Sequence, residues 1–257
     1  SIYSDLHPTS KHYCFEHTST MEVTQSEERF PLINYDLHNF NNRLGLLERE
    51  QKRRHGNLFP NLIRAIITGP SNCGKTNVML GLILQPNGIC FENICLYSNS
   101  LDQPKYLFLK TICKGIKNLT YSEFSANDEI LAPAEAKPNT VMIFDDIACS
   151  PQQSIIRKYF SMGRHNFIDC FYLSQSYSNI PKQLIRDNAN LLIVFKIDEL
   201  NLRHLFTDHA VNLDLSFDRF KEICRECWEN EYGFLVIDKE SAEGRRYRKG
   251  FDGFIRI

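Results

Sequence analysis

Gly69-Pro70-Ser71-Asn72-Cys73-Gly74-Lys75-Thr76 fits the pattern G-x-x-x-x-G-K-[ST] at every defined position. The chemistry that needs this spacing is the binding of a nucleoside triphosphate. Backbone N–H groups of a tight loop converge on phosphate oxygens, and the following helix adds the positive end of its dipole. Gly69 and Gly74 give the loop the backbone angles and the close approach it requires. Lys75 is placed to reach the β- and γ-phosphates, and Thr76 to offer its hydroxyl to Mg2+. A strand-to-helix turn with no ligand would not need the Lys-Thr pair.

Two acids form the second chemical element. Asp145 and Asp146 close the apolar run Val141-Met142-Ile143-Phe144. At the end of a strand beside a phosphate loop, one carboxylate holds the Mg2+ shell and the next orients or deprotonates water. Asp145 is assigned to magnesium and Asp146 to water. The competing reading of Asp146 is a cap on the following helix or turn. Gln175 ends Phe171-Tyr172-Leu173-Ser174-Gln175 and could touch the γ-phosphate or the water; by itself a glutamine after a strand is usually a loop residue.

The elements that must position these residues are legible as apolar patterns. Leu62–Ile67 is a short β-branched run leading into the glycine loop, and Val78, Met79, Leu80, Leu82 and Ile83 follow at helical spacing. Further strands are expected at 94–97, 141–144, 168–173, 191–195 and 234–237, with helices at 105–117 and 152–162. Nearly all-apolar strands alternating with helices imply an α/β fold: a mainly parallel central sheet with helices on both faces. Residues 1–60 are expected to form a polar arm, helical in part over 31–57, before a nucleotide-binding domain at 61–257.

Composition limits the function classes. The chain has 257 residues, 42% of them hydrophobic and 24% charged, which supports a sizeable core and excludes coiled-coil and wholly disordered readings. Lys+Arg 30 against Asp+Glu 31 argues against DNA binding by bulk positive charge and leaves local patches open. Two basic runs qualify, Lys52-Arg53-Arg54 and Arg245-Arg246-Tyr247-Arg248-Lys249; the plain alternatives are a solvated helix face and a solvated terminal strand. The longest apolar run, Leu191–Phe195, is too short to span a membrane. The nine cysteines show no repeating spacing and several sit in apolar runs, so they read as reduced, buried thiols of an intracellular protein. Cys224-x-x-Cys227 has metal or redox spacing but no answering pair, and its segment reads as helix.

The stretch Gly69 to Asn77, the Val141-to-Asp146 strand, Gly163-Arg164-His165-Asn166 and Tyr172-Leu173-Ser174-Gln175-Ser176-Tyr177 together resemble the viral genome-packaging ATPases of the HerA/FtsK type. Within that group the likeness is to those of poxviruses, other large DNA viruses and Polinton-like elements. It covers about residues 60 to 250. The resemblance implies a P-loop NTPase that uses ATP and Mg2+ to push double-stranded DNA into a capsid. It implies a ring, often a hexamer, capsid proteins as partners, and a place in the virion or the viral factory. Gly69, Pro70, Ser71, Asn72, Cys73, Gly74, Lys75, Thr76 and Asn77 then bind the nucleotide. Asp145 takes the Walker B role, Asp146 the catalytic acid and Gln175 the sensor. The second acid is Glu in many relatives and Asp here, so the water is held by a shorter arm. A ring also calls for an arginine supplied in trans. Arg164 is preferred and Arg186 is the second candidate, and for either the plain alternative is a surface salt bridge. Two other readings remain at this point: a small-molecule kinase, disfavoured because the 120s–130s loop has no arginine, and a domesticated nucleotide-binding protein without motor activity.

Overall fold

The computed structural model of the chain describes residues 53–125, 127–147, 149–210 and 215–256. Residues 1–52 of the expected N-terminal arm lie outside them. Residues 53–57 form bends and a turn rather than the end of a helix. There Arg54 and His55 turn inward, and Asp169, fully buried, is 3.2 Å from each. Asp169 also accepts the Ile63 N–H at 2.7 Å. A buried carboxylate must be paired and hydrogen-bonded, so this stretch of the basic run serves the fold at Arg54, in place of the expected solvated face.

The elements follow in the order β1 (Arg64–Thr68), α1 (Lys75–Leu84), β2 (Asn93–Ser98), α2 (Pro104–Gly115), β3 (Thr120–Ser125), β4 (Thr140–Asp145), α3 (Gln153–Met162), β5 (Asp169–Ser174), β6 (Leu191–Val194), α4 (Glu199–His209), α5 (Phe217–Cys227), β7 (Leu235–Asp238), β8 (Tyr247–Lys249) and β9 (Gly253–Ile255). One sheet runs β3-β2-β4-β5-β1-β6-β7-β8-β9. Neighbours from β3 to β6 pair in parallel, and β7 to β9 are added antiparallel.

The two-residue period of the strands divides the core between two faces. Ala65 and Ile67 of β1 pack with Met79, Leu82 and Ile83 of α1 and Tyr106 and Leu109 of α2. Ile66 points the other way, into the layer of Ile156 and Phe160 on α3, Leu202 and Leu205 on α4, and Phe220 and Ile223 on α5. Both faces of β1, β4, β5 and β6 are covered, and that is why those strands are buried throughout and apolar along their middles, with polar residues only at the ends of β1, β4 and β5.

Arg248 departs from the expected solvated strand. It is 1% exposed, and its guanidinium meets Asp238 Oδ2 at 2.7 Å. Asp238 in turn accepts the Glu240 and Ser241 N–H groups and the Ser241 hydroxyl. The second candidate for a trans finger, Arg186, is likewise committed within the chain. Its Nη1 is 2.8 Å from Asp208 Oδ2, and its guanidinium lies over the Tyr177 ring. The Cys224-x-x-Cys227 pair sits on the buried face of α5, and burial pushes both thiols up, Cys227 to about 11. Few thiolates form there at neutral pH, which disfavours metal or redox chemistry.

His209 sits in the same buried cluster as Arg186, facing Tyr177, Asp208, Arg186 and Lys239. Burial first, then Lys239, holds its imidazole down to about 3. The unfolded chain therefore binds a proton that the folded chain refuses from about pH 6.5 to about pH 3, and this contribution to stability is lost as pH falls through that window. His209→Gln is expected to flatten the pH dependence of the urea midpoint there by close to one proton. Equal slopes for parent and variant would mean that His209 is already charged in the folded protein.

Candidate nucleotide-hydrolysis site

β1 ends at Thr68, and the chain turns at once into the glycine loop. Gly69 has φ 155°, and a Cβ there would lie 2.6 Å from the Phe195 side chain and 2.8 Å from the Cys73 sulfur. Gly74, at φ 112°, makes the turn into α1. These are the two positions where the motif demands glycine, and both are occupied in backbone regions that side chains rarely enter. Gly69 N–H bonds to Ser174 O and Phe195 N–H to Thr68 O, so β5 and β6 pin the start of the loop from either side. Lys75 Nζ donates to Gly69 O at 2.6 Å and Pro70 O at 2.8 Å, which keeps the ammonium at the loop.

The acids reach the loop across an intervening strand. β5 lies between β1 and β4, so the acids are not on a strand adjacent to the loop strand. All these strands nevertheless end at the same edge. Asp145, Asp146 and Gln175 line one cleft of about 930 Å³ with Ser71, Lys75 and Thr76. Gln175, carried by the intervening strand, bridges the two sides. Ser71 Oγ donates to its Oε1 at 3.1 Å, and its Nε2 donates to Asp146 Oδ2 at 3.2 Å.

A strand ending in a glycine loop, the loop entering a helix, and acids brought to that loop from a parallel strand two places away define the architecture. It is an α/β fold with a P-loop motif between its first strand and first helix. No protein-family model matches the chain, and no curated protein is significantly similar to it. Among solved structures it is similar to the genome packaging NTPase B204 from Sulfolobus turreted icosahedral virus 2. The complex of that protein with ATP-gammaS has 16% identity and a TM-score of 0.47, covering 68% of this chain and 91% of that chain. The complex with AMP has 15% identity and a TM-score of 0.45, covering 70% and 94%. The DNA-packaging ATPase B204 from Sulfolobus Turreted Icosahedral Virus has 16% identity and a TM-score of 0.45, covering 68% and 91%.

The two acids of the P-loop cleft differ in environment. Asp145 is buried, and burial is the main cause that raises its carboxyl above the ordinary aspartate value, with Asp146 adding to it. Opposing this, Tyr106 of α2 donates to Asp145 Oδ2 at 2.6 Å, and Ser98 and Lys75 pull in the same direction. Asp146 is exposed, in a left-handed backbone conformation with φ 53°. Its side chain accepts from Gln175, and the cap position of α3 is Gln152 with no side-chain hydrogen bond, so Asp146 does not cap that helix.

The donor set suits a small hard cation. Thr76 offers a hydroxyl and Asp145 a carboxylate, both oxygen. The hydrogen bonds that Asp145 receives from Tyr106 and Ser98 both fall on Oδ2, so among the described residues its other oxygen is left for a ligand in the cleft. Among the same residues no cluster of three His, Cys, Asp or Glu side chains could enclose a metal. A cation here would therefore complete its shell with phosphate and water, as Mg2+ does with nucleotides.

Tyr106 was not singled out by motif. The signal was there: Tyr106, Leu109 and Cys113 share the buried stripe of α2, and a buried phenol requires a polar partner. Burial and Asp145 push its hydroxyl far up, so it stays a donor. Tyr106→Phe should preserve the fold and raise the Mg2+ concentration for half-maximal ATP hydrolysis severalfold. Since Tyr106 lowers the Asp145 carboxyl, its loss should also move the acid limb of the pH–rate profile to higher pH. An unchanged Mg2+ requirement and an unchanged limb would show that the contact does not position Asp145.

The backbone at Arg164 lies away from the P-loop cleft. The backbone of Gly163–Asn166 forms a 3-10 turn before β5, whereas the cleft lies after β5. Six strand residues separate the two edges, about 20 Å. Pro70 and Cys73 of the motif flank a neighbouring hollow, and Asn77 lines the cleft itself.

Proposed function

We propose that this chain is an Mg2+-dependent ATPase whose hydrolysis drives double-stranded DNA, as a ring, into a viral or virus-derived capsid. The observation that supports the ATPase reading is the meeting of Ser71, Gln175 and Asp146 over the P-loop, in one cleft with Lys75, Thr76 and Asp145. The loop N–H groups and Lys75 bind the phosphates. Asp146, oriented by Gln175, accepts the proton of the attacking water. Tyr106 keeps Asp145 in place. Mg2+ held by Thr76 and Asp145 would offset the charge building on the phosphate oxygens. The motor and packaging parts of the proposal are supported by the motif resemblance across about residues 60 to 250.

Arg164 keeps its proposed role in trans. At the far edge of the sheet it cannot serve its own cleft, so a catalytic part for it requires a neighbouring subunit. For the DNA contact, Arg248 is withdrawn into the core, and Arg54 pairs with Asp169. Arg53 and Arg245, one exposed residue from each basic run, line one hollow of about 360 Å³. We assign phosphate contact to this pair, without base reading.

The experiment is ATP hydrolysis with and without double-stranded DNA, by the parent and by Arg53→Glu/Arg245→Glu. DNA stimulation that is lost in the double variant, while DNA-free hydrolysis persists, supports the proposal. ATP hydrolysis indifferent to DNA in the parent contradicts the motor reading.

A further inference from the structure

The cleft has two chemically different ends. The sheet order fixes them: β5 and β4 lie on one side of β1, and β6 and β7 on the other. The first side brings Gln175, Asp145 and Asp146. The second brings Phe195, just after β6, and Tyr232 and Phe234, just before β7. A triphosphate whose terminal phosphate faces the acids must leave its nucleoside on the aromatic side.

Tyr232 stands out at that end. It is 59% exposed, although large aromatics gain by burial. Its ring lies against the P-loop itself, 3.6 Å from where a Cβ on Gly74 would be, with Phe195 at 3.3 Å from the same point. The turn carrying it is fastened in place. Trp228 Nε1 donates to Val194 O at 2.9 Å, Gly233 N–H bonds to Asn230 O, and a Cβ on Gly233 would come within 2.2 Å of Cys227 O. Phe234 is braced by Phe195 and Phe251 at centroid distances of 5.4 Å and 5.1 Å. A rigid turn thus presents an aromatic ring to solvent at the nucleoside end of a phosphate cleft.

We propose that Tyr232 is the stacking platform for the base of the bound nucleotide. The inference rests on the nucleotide-hydrolysis reading of the cleft and adds the recognition of the base by its flat face. A flat heteroaromatic ring gains from such a wall whatever its edge pattern.

The test is calorimetric titration, in Mg2+, of ATP and separately of inorganic tripolyphosphate into the parent, Tyr232→Ala and Tyr232→Phe. Tyr232 is exposed enough for both substitutions to fold. The Ala variant is expected to bind ATP roughly 10- to 100-fold more weakly, from the usual strength of base–aromatic stacking. Tripolyphosphate affinity should stay at the parent value, and the Phe variant should bind ATP like the parent. Parent-like ATP binding by the Ala variant overturns the proposal, as does an equal loss of tripolyphosphate binding. A Phe variant as weak as Ala also overturns it, since the hydroxyl rather than the ring face would then be the contact. A parent that binds neither compound overturns the nucleotide reading itself, and that outcome is distinct from the others.

Discussion

Asp146→Asn is expected to leave Mg2+–ATP affinity within a few-fold of the parent and to lower kcat by about 10²- to 10⁴-fold, the usual contribution of a positioned general base. The geometry separates the two acids. Asp145 is buried and tied to Tyr106, in the place proposed for the cation. Asp146 is exposed to the cleft, and Gln175 holds one of its oxygens. Asparagine has nearly the same shape and can keep the Gln175 contact, but it cannot accept a proton from water. Single-turnover hydrolysis, measured beside ATP binding, checks both halves. A kcat within threefold of the parent would remove Asp146 from proton transfer and return it to a purely local role.

The second large effect is on stability. Asp238→Ala should destabilise the fold by about 3–5 kcal/mol, the usual cost of leaving a buried charge without its partner. Arg248 is 1% exposed, and its guanidinium would then face the Ala242-to-Arg245 turn and Leu58 O with no counter-charge. For a body of this size, that is a fall of about 10 °C or more in Tm. Thermal unfolding followed by circular dichroism checks it. A loss under about 1 kcal/mol would mean that water or a rearranged acid reaches Arg248, and that the antiparallel end of the sheet is looser than the packing of Tyr247 and Arg248 indicates.

The sequence carries the centre of this fold and much less of its margins. Strands covered on both faces carry apolar residues on both, so the inner residues of β1, β4, β5 and β6 read as apolar runs. The edge strand β3, Thr120-Tyr121-Ser122-Glu123-Phe124-Ser125, is only half-buried and shows no apolar run. β8 and β9 have three residues each, and β8 is basic at two of its three positions. A basic run reads as solvated; the partner that buries Arg248 is Asp238, on another strand, and only the folded pairing of β7 with β8 brings the two together. The same holds for Arg186, whose partner Asp208 comes from α4.

The site divides in the same way. The P-loop is a local motif, and local spacing reveals it. The Asp pair was legible as the end of an apolar strand, and the sheet order brings it to the loop. That order also places Gln175 between the two, which turns a residue of little significance by itself into the bridge from Ser71 to Asp146. Tyr106 and Tyr232 were not legible because their roles depend on what they face, an aspartate for one and the glycine loop for the other.

The P-loop and the two aspartates are proposed to act as one hydrolytic site. Phosphate release from ATP in the presence of Mg2+, by the parent and by Lys75→Ala, tests it most directly. Steady turnover by the parent is expected, with a fall of at least about a hundredfold in kcat/KM when the lysine is removed, in line with the loss of a single group that stabilises developing charge. Equal rates for the two proteins, or no release by the folded parent, would contradict it.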